Sequence, residues 1–132
     1  MRRTPFAGAG PQILLVEDDE MLLEVMGAAI ERQGYTFETA LTGEQALEKA
    51  YTLKPALVLL DISLPEQSGY LVAAKLKLLA PRPKVVFITA MPRGQSDRMA
   101  AFLHVDGIMH KPFAMGKLIS SLDRMLGLTH AA

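Results

Sequence analysis

The chain has 132 residues and contains no cysteine, so disulfide bonds, thiolate metal sites and cysteine nucleophiles are all excluded. It also lacks an excess of either charge, since 14 basic residues balance 14 acidic ones. Arg2-Arg3 is its one basic run. A neutral chain has no overall field that attracts nucleic acid or an anionic membrane. We therefore expect no direct nucleic-acid partner, and the cytoplasm as the location.

Long apolar segments are absent as well. No stretch approaches the length of a membrane span, and residues 1–12 lack the apolar core of a secretion signal. We therefore expect a soluble protein. Its composition, half hydrophobic, predicts one domain over residues 12–127. A flexible leader with two prolines and two glycines precedes it over residues 1–11, and a tail follows over residues 128–132.

Short apolar runs alternate with stretches of helical spacing along the chain. The predicted strands cover residues 13–16, 36–40, 57–60, 85–89 and 105–109. The predicted helices cover about 22–30, a segment opening at Thr42, 68–79, 95–104 and 114–126, with Gly34 as a stop signal and Ser121 facing outward. This alternation predicts a three-layer α/β domain, a parallel sheet covered by helices on both faces.

Residues that can take part in catalysis or metal binding lie at the ends of four of the five predicted strands. They are Glu17, Asp18, Asp19, Asp61, Thr89 and Lys111, and the apolar residues Ala90 and Met91 follow Thr89. In a parallel sheet the carboxyl ends of the strands lie at one edge, and ligands bind outside that edge. The sequence therefore predicts an acidic pocket with a hydroxyl group and an ammonium group beside it.

Acids gathered in one pocket need a counter-charge. Two unit charges about 4 Å apart interact with on the order of 4 kcal/mol at an effective dielectric constant near 20. A hard divalent cation relieves that repulsion. Because oxygen atoms are the only ligands on offer, with no histidine or cysteine among them, the pocket favours Mg²⁺, or Mn²⁺, over zinc.

The same residues resemble those of a known family. The phrases are Ile-Leu-Leu-Val-Glu-Asp-Asp at 13–19, Asp-Ile-Ser-Leu-Pro at 61–65 with Gly69, Ile-Thr-Ala at 88–90 and Lys-Pro-Phe at 111–113. In order and spacing they resemble the receiver domain of two-component response regulators, the CheY-like superfamily, from Gln12 to Leu126. The resemblance implies a flavodoxin-like (βα)5 fold with a five-stranded parallel sheet in the order 2-1-3-4-5.

The resemblance also implies a magnesium site. Asp18 and Asp61 would bind the ion directly, Glu17 would act through a water molecule, and the backbone carbonyl of Ser63 would supply a further ligand. Asp19 would then be a helix N-terminal residue that stabilises the helix dipole. The alternative left open is that Asp19 takes the place of Glu17.

The activity implied by the resemblance is phosphoryl transfer. Asp61 would accept a phosphoryl group from a phosphohistidine and carry it as an acyl phosphate, which water later removes. Lys111 and the Thr89 hydroxyl would contact the phosphoryl oxygens. Such a domain is not an enzyme, since it catalyses only its own phosphorylation and dephosphorylation.

The implied partners are proteins. A sensor histidine kinase or a phosphotransfer protein would supply the phosphoryl group, and a downstream protein target would read the result. A homodimer would form through the face made by the fourth helix, the fifth strand and the fifth helix. Only six residues follow Leu126, so we expect no output domain within these 132 residues. It is either a stand-alone receiver or a piece of a larger regulator or hybrid kinase.

Two positions depart from the family pattern or bear on access to the site. Ile108 stands where the family usually carries Tyr or Phe, three residues before Lys111, which puts the usual two-state coupling in doubt. Met91 lies two residues after Thr89 and would flank the phosphoryl group together with Ser63. We predict that its apolar side chain limits the access of water.

Two other classes of function compete with a phosphoacceptor. One is a receiver-like interaction module that never takes phosphate, which Ile108 supports. The other is a metal-dependent phosphohydrolase of the haloacid dehalogenase type, but that family needs a second Asp two residues after the nucleophile, where this chain has Ser63. The third predicted helix is unusually apolar, which indicates either scattered surface leucines or a docking patch.

Overall fold

The computed structural model describes residues 12–64 and 67–127, and in this range five strands alternate with five helices. The leader over residues 1–11, the tail over 128–132 and Pro65, the last residue of the phrase at 61–65, lie outside the described residues. The strands are β1 Ile13–Val16, β2 Phe37–Ala40, β3 Leu57–Asp61, β4 Lys84–Thr89 and β5 Gly107–His110. The helices are α1 Glu20–Arg32, α2 Gly43–Leu53, α3 Gly69–Leu76, α4 Arg93–Leu103 and α5 Met115–Met125.

The strands form one parallel sheet in the order β2-β1-β3-β4-β5, as predicted. Side chains alternate between its two faces. Leu14 and Val16 belong to a core under α2, α3 and α4, whereas Ile13 and Leu15 belong to a second core under α1 and α5. β1 and β3 are buried along their whole length, which is why they read as unbroken apolar runs. The three-layer α/β prediction is confirmed.

Local signals in the sequence explain where several helices begin and end. The Thr42 hydroxyl accepts a hydrogen bond from the Gln45 amide, and the Gln45 side chain accepts one from the Leu41 amide, which makes a capping arrangement at the start of α2. After α1, Gly34 has a φ of 102°, a left-handed conformation that favours glycine. Both predicted boundary signals are confirmed.

The bounds of β5 and α3 differ from the predicted ones for identifiable reasons. β5 begins at Gly107, and the strand predicted from Val105 was placed too early. The Val105 amide still donates to Ala100 in α4, and the Asp106 carboxylate accepts from the Val85 amide, so both residues are engaged outside the strand. α3 ends at Leu76, because the next residues tighten into bonds between positions three apart, such as Leu78 to Lys75.

The predicted outward orientation of Ser121 is wrong, since Ser121 is buried in α5 together with Leu118 and Leu122. Its small side chain fits beneath the helix, where periodicity alone assigned a polar residue to the surface. The prediction that part of the apolar third helix is exposed is confirmed at Leu71, 48% exposed, and is extended by Leu78, 84% exposed. Within residues 12–64 and 67–127, no helix has the length and apolarity needed to cross a membrane.

Candidate functional site

The candidate site lies at the carboxyl edge of the sheet. Asp61 is the last residue of β3, and Thr89 is the last residue of β4. Glu17 directly follows β1 and Lys111 directly follows β5. Because β1, β3, β4 and β5 are consecutive in the sheet, the topology brings these four strand ends side by side.

Lys111 joins two buried carboxylates. Its Nζ lies 2.9 Å from Asp61 Oδ2 and 3.0 Å from Glu17 Oε1. Glu17 is 1% exposed and Asp61 is 2% exposed, so both charges are removed from solvent. The amide of Ser63 donates to Asp61 Oδ1 at 2.8 Å, and the amide of Asp19 donates to Glu17 Oε2 at 3.1 Å. Each carboxylate therefore has one backbone donor and one shared ammonium group.

In this cluster, burial and neighbouring groups shift the pKa values in opposing directions. Burial, followed by the charge of Asp61, raises the pKa of Glu17 from 4.5 to about 7, although the Asp19 amide and Lys111 act in the opposite direction. Burial alone would lower the pKa of Lys111, but its hydrogen bond to Asp61 and its ion pair with Glu17 together outweigh burial and raise it. The ammonium group therefore stays protonated, while one of its carboxylate partners is close to neutralisation at pH 7.

The acids fit a divalent cation. One carboxylate oxygen from each of Glu17, Asp18 and Asp61 lies within 4.8 Å of the other two. Oxygens on opposite sides of a magnesium ion are about 4 Å apart, so small side-chain adjustments bring this set to ligand spacing. Asp18 is exposed, whereas Glu17 and Asp61 are buried. Three carboxylates beside the single ammonium group of Lys111 leave negative charge that a hard cation neutralises.

Asp19 has a different task from its two neighbours. Its Oδ1 accepts hydrogen bonds from the amides of Met21 at 3.0 Å and Leu22 at 3.2 Å, which caps the N-terminus of α1. The interpretation of Asp19 as a helix N-terminal residue is confirmed. Glu17 keeps the position beside Asp61.

Thr89 is fully buried, and its Oγ1 accepts a hydrogen bond from the Met91 amide at 2.8 Å. Its backbone carbonyl accepts from the Lys111 amide at 2.7 Å, which links the ends of β4 and β5. Met91 and Ile108 are half-buried and pack against the same core cluster, whereas Ala90 between Thr89 and Met91 is exposed. The loop that follows β4 thus fixes the position of the Thr89 hydroxyl.

The loop after Asp61 depends on a glycine. A β-carbon at Gly69 would lie 2.3 Å from the Cα of Ile62, so only glycine allows the start of α3 to approach the end of β3 this closely. In the sequence, Gly69 stands out only as part of the family pattern. The peptide bond between Lys111 and Pro112 is cis.

Two polar contacts that involve helices α4 and α5 could not be predicted from the sequence. His110 Nε2 lies 3.0 Å from Asp97 Oδ1, which joins the end of β5 to α4. The Tyr35 hydroxyl donates to the Asp123 carboxylate, which joins the segment after α1 to α5. Each pair unites residues that are distant in sequence, and no local spacing signals either of them.

Comparisons with known proteins agree with this geometry. The sequence model of the family described as "Response regulator receiver domain" matches residues 13–123. The alkaline phosphatase synthesis transcriptional regulatory protein PhoP of Bacillus subtilis is 37% identical over 106 residues, which are 78% of this chain and 43% of PhoP. The probable transcriptional regulatory protein TcrX of Mycobacterium tuberculosis is 32% identical over 98% of this chain and 54% of its own length. The chain thus spans about half the length of these relatives.

Solved structures give the same result for the fold. A response regulator receiver domain protein (CheY-like) from Methanospirillum hungatei has a TM-score of 0.84 and 26% identity, over 89% of this chain and 94% of its own. The BeF3-activated DrrB receiver domain has a TM-score of 0.79 and 27% identity, over 89% of this chain and 98% of its own.

Proposed function

This chain belongs to the response regulator receiver domain family, and we propose that Asp61 is its phosphoacceptor. The observation that carries the proposal is the buried Asp61 carboxylate at the carboxyl edge of the sheet, 2.9 Å from the ammonium group of Lys111. In the proposed reaction an oxygen of Asp61 attacks the phosphorus of a phosphohistidine. The phosphorus–oxygen bond forms as the phosphorus–nitrogen bond breaks, and the imidazole leaves with the bonding electron pair.

The residues around Asp61 orient it and neutralise charge. The Ser63 amide bonds Asp61 Oδ1 and holds the carboxylate in one orientation. Lys111, protonated because its pKa is raised, can move its contact from Asp61 Oδ2 to an oxygen of the attached phosphoryl group. The Thr89 hydroxyl accepts from the Met91 amide, and it keeps its own proton to donate to a phosphoryl oxygen.

We propose Mg²⁺ as the cofactor, with Mn²⁺ as an alternative. Asp18 and Asp61 would bind the ion directly, the Ser63 carbonyl would complete the protein ligands, and Glu17 would act through water. When bound, the ion supplies positive charge to the phosphoryl oxygens and offsets the repulsion among the carboxylates. The grouping of Glu17, Asp18 and Asp61 supports this assignment.

Partners are proposed from the family role. A sensor histidine kinase or a phosphotransfer protein would supply the phosphoryl group, and an unidentified protein target would respond to it, in the cytoplasm. We place a homodimer, if one forms, on the face of α4, β5 and α5, where His110 and Asp97 tie the strand to the helix. Beyond its own phosphorylation and dephosphorylation we assign no enzymatic reaction to the chain.

The test is the intact mass of the protein after incubation with acetyl phosphate. A single phosphoryl adduct should form on the wild type with Mg²⁺, and it should be absent without the metal and absent from Asp61→Asn. Asp19→Asn is the matched control, because Asp19 is an acid of the same strand-end loop that caps α1. Its adduct should persist.

The competing hypothesis, a receiver-like module that never takes phosphate, makes the opposite prediction. If no adduct forms on the wild type while Mg²⁺ demonstrably binds, the phosphoacceptor proposal is wrong and a fixed docking surface is favoured. An adduct of equal yield on Asp61→Asn would place the modification on another residue.

A further inference from the structure

A groove of about 540 Å³ lies between α1 and the edge strand β2, and none of the proposed phosphoacceptor and metal-binding residues line it. Its floor is apolar and includes Leu23 and Phe37. Along one rim run the exposed carboxylates of α1, which are Glu20, Glu24 and Glu31. Among residues 12–64 and 67–127, no basic side chain lines it. The groove therefore combines an apolar floor with one sign of charge.

The groove is built into the packing of α1 on β2. A β-carbon at Gly27 would lie 2.8 Å from the Phe37 ring, so glycine leaves the ring its place under the helix. Glu20 and Glu24 are four residues apart, and Glu31 follows after seven more. Residues at this spacing share one helix face. The rim is thus a continuous acidic stripe about 16 Å long at the rise of an α-helix.

The outer edge of β2 is less open to a ligand than the groove. Lys49 Nζ already donates to the Thr39 carbonyl at 2.6 Å, and it lies 3.9 Å from the Glu38 carboxylate. A segment adding to the sheet as a sixth strand would have to displace this lysine. A ligand that lies in the groove meets no such obstacle.

The chain itself supplies a segment of matching chemistry. Residues 1–11 contain Arg2, Arg3 and Phe6 and no acidic residue. They join the sheet at Gln12, whose amide bonds both the carbonyl and the hydroxyl of Thr36, next to Phe37 at one end of the groove. Six residues of extended chain span up to about 20 Å, which is long enough for Phe6 to reach the floor and for the arginines, farther along, to reach the rim.

We propose that residues 1–11 dock in this groove, with Phe6 on the apolar floor and Arg2 and Arg3 against Glu20 and Glu24. This inference goes beyond the phosphoacceptor function and does not depend on it. Because the segment is tethered, its effective concentration at the groove is on the order of millimolar, so weak contacts suffice. The contribution of the ion pairs falls as salt is added.

The absence of cysteine permits a direct test. A nitroxide label on Ala7→Cys should cause loss of backbone amide signal intensity at Leu23, Gly27 and Phe37 in the full-length ¹⁵N-labelled protein. Amides of α3 and α4 should keep their intensity. Added salt should restore part of the lost intensity.

Charge variants separate docking from chance proximity. Glu20→Gln with Glu24→Gln should restore the intensity at the groove, whereas Glu44→Gln with Glu48→Gln, the same charge change on the exposed face of α2, should leave the loss unchanged. Uniform broadening, broadening confined to another surface, or an equal effect of both double variants would overturn the proposal. Broadening in a mixture of ¹⁴N spin-labelled and ¹⁵N unlabelled protein would assign the groove to a second copy, which also overturns it.

Discussion

The two edges of the sheet handle polar residues in opposite ways. At the carboxyl edge, Glu17, Asp61 and Lys111 place three charges in contact, and both carboxylates are buried. The pKa of Glu17, raised to about 7 mainly by burial, measures the cost of that arrangement. This edge is stable only to the extent that protons, Lys111 or a metal ion offset the negative charge.

At the amino edge the contacts of Gln12 are hydrogen bonds between neutral groups. The Gln12 amide donates to the Thr36 hydroxyl at 3.0 Å, and the Thr36 amide donates to Gln12 Oε1 at 3.1 Å. The Gln12 carbonyl also accepts from the amides of Ala56 and Leu57. These hydrogen bonds hold the amino ends of the strands together without burying a charged group. The comparison teaches that neighbouring buried carboxylates are placed at the edge that we propose for chemistry.

The largest effect on stability should come from Glu17→Gln. Removing the charge should raise the free energy of unfolding of the metal-free protein at pH 8 by up to about 3 kcal/mol, since one pKa unit corresponds to about 1.4 kcal/mol. Glutamine can still accept from the Asp19 amide, so the backbone contact persists. Urea unfolding measures the change. A clear loss of stability would contradict the claim that the buried charge of Glu17 destabilises the folded protein.

The same carboxylate predicts a pH dependence. Its folded-state pKa, about 7, lies above its ordinary value of 4.5, so the folded state holds more protons than the unfolded state between these values. The contribution of Glu17 is therefore fully present below pH 4.5 and is lost as the pH rises through 7. The free energies of unfolding of the wild type and of Glu17→Gln, plotted against pH, should diverge across this window. Equal slopes of the two plots would refute the assignment.

The next effect should come from Tyr35→Phe, near the amino edge. The variant loses the hydrogen bond to the Asp123 carboxylate, which should lower the free energy of unfolding by about 2 kcal/mol. Burial and then Asp123 raise the pKa of Tyr35 above its ordinary value of 10. The stabilisation is thus present below pH 10 and lost at higher pH. Tyr51→Phe, at a side chain that is 67% exposed, is the control and should change little.

The smallest effect should be kinetic and should leave stability nearly unchanged. Met91→Glu should speed the loss of the phosphoryl group several-fold, because a carboxylate admits and orients water where the half-buried methionine excludes it. Met91→Leu should match the wild type. Decay of the adduct is followed by intact mass, and a Met91→Glu protein that decays no faster would show that access is controlled elsewhere.

The sequence predicted most of the fold because its strands are short, apolar and bounded by turn residues. It failed where a residue's neighbours come from other elements. Val105 resembles strand residues but is held by Ala100 and lies outside β5. Ser121 is polar, yet it is small enough to be buried beneath α5. Periodicity records residue type and misses both effects.

The identities of the site residues could also be predicted, but not their contacts. The parallel sheet alone places Asp61 beside Lys111, 50 residues away. That Lys111 spans two carboxylates, and that the Thr89 hydroxyl bonds its own loop, depends on side-chain orientation. The role of Ile108 as a replacement for an aromatic switch residue stays a prediction.

The most direct test of the contrast between the two edges is the free energy of unfolding as a function of Mg²⁺ concentration. The measurement compares the wild type with Asp61→Asn and with Thr36→Val, one variant at each edge. Thr36→Val should cost at most about 1 kcal/mol, because the Gln12 amide loses the hydroxyl acceptor and keeps the Thr36 carbonyl, and it should respond to Mg²⁺ as the wild type does.

Without metal, Asp61→Asn should be more stable than the wild type, since it removes one buried charge and keeps an acceptor for the Ser63 amide. Mg²⁺ should then stabilise the wild type and close that gap, with little effect on Asp61→Asn. If Asp61→Asn is less stable without metal and Mg²⁺ changes neither protein, the carboxyl edge is not a charged site held in readiness for a cation.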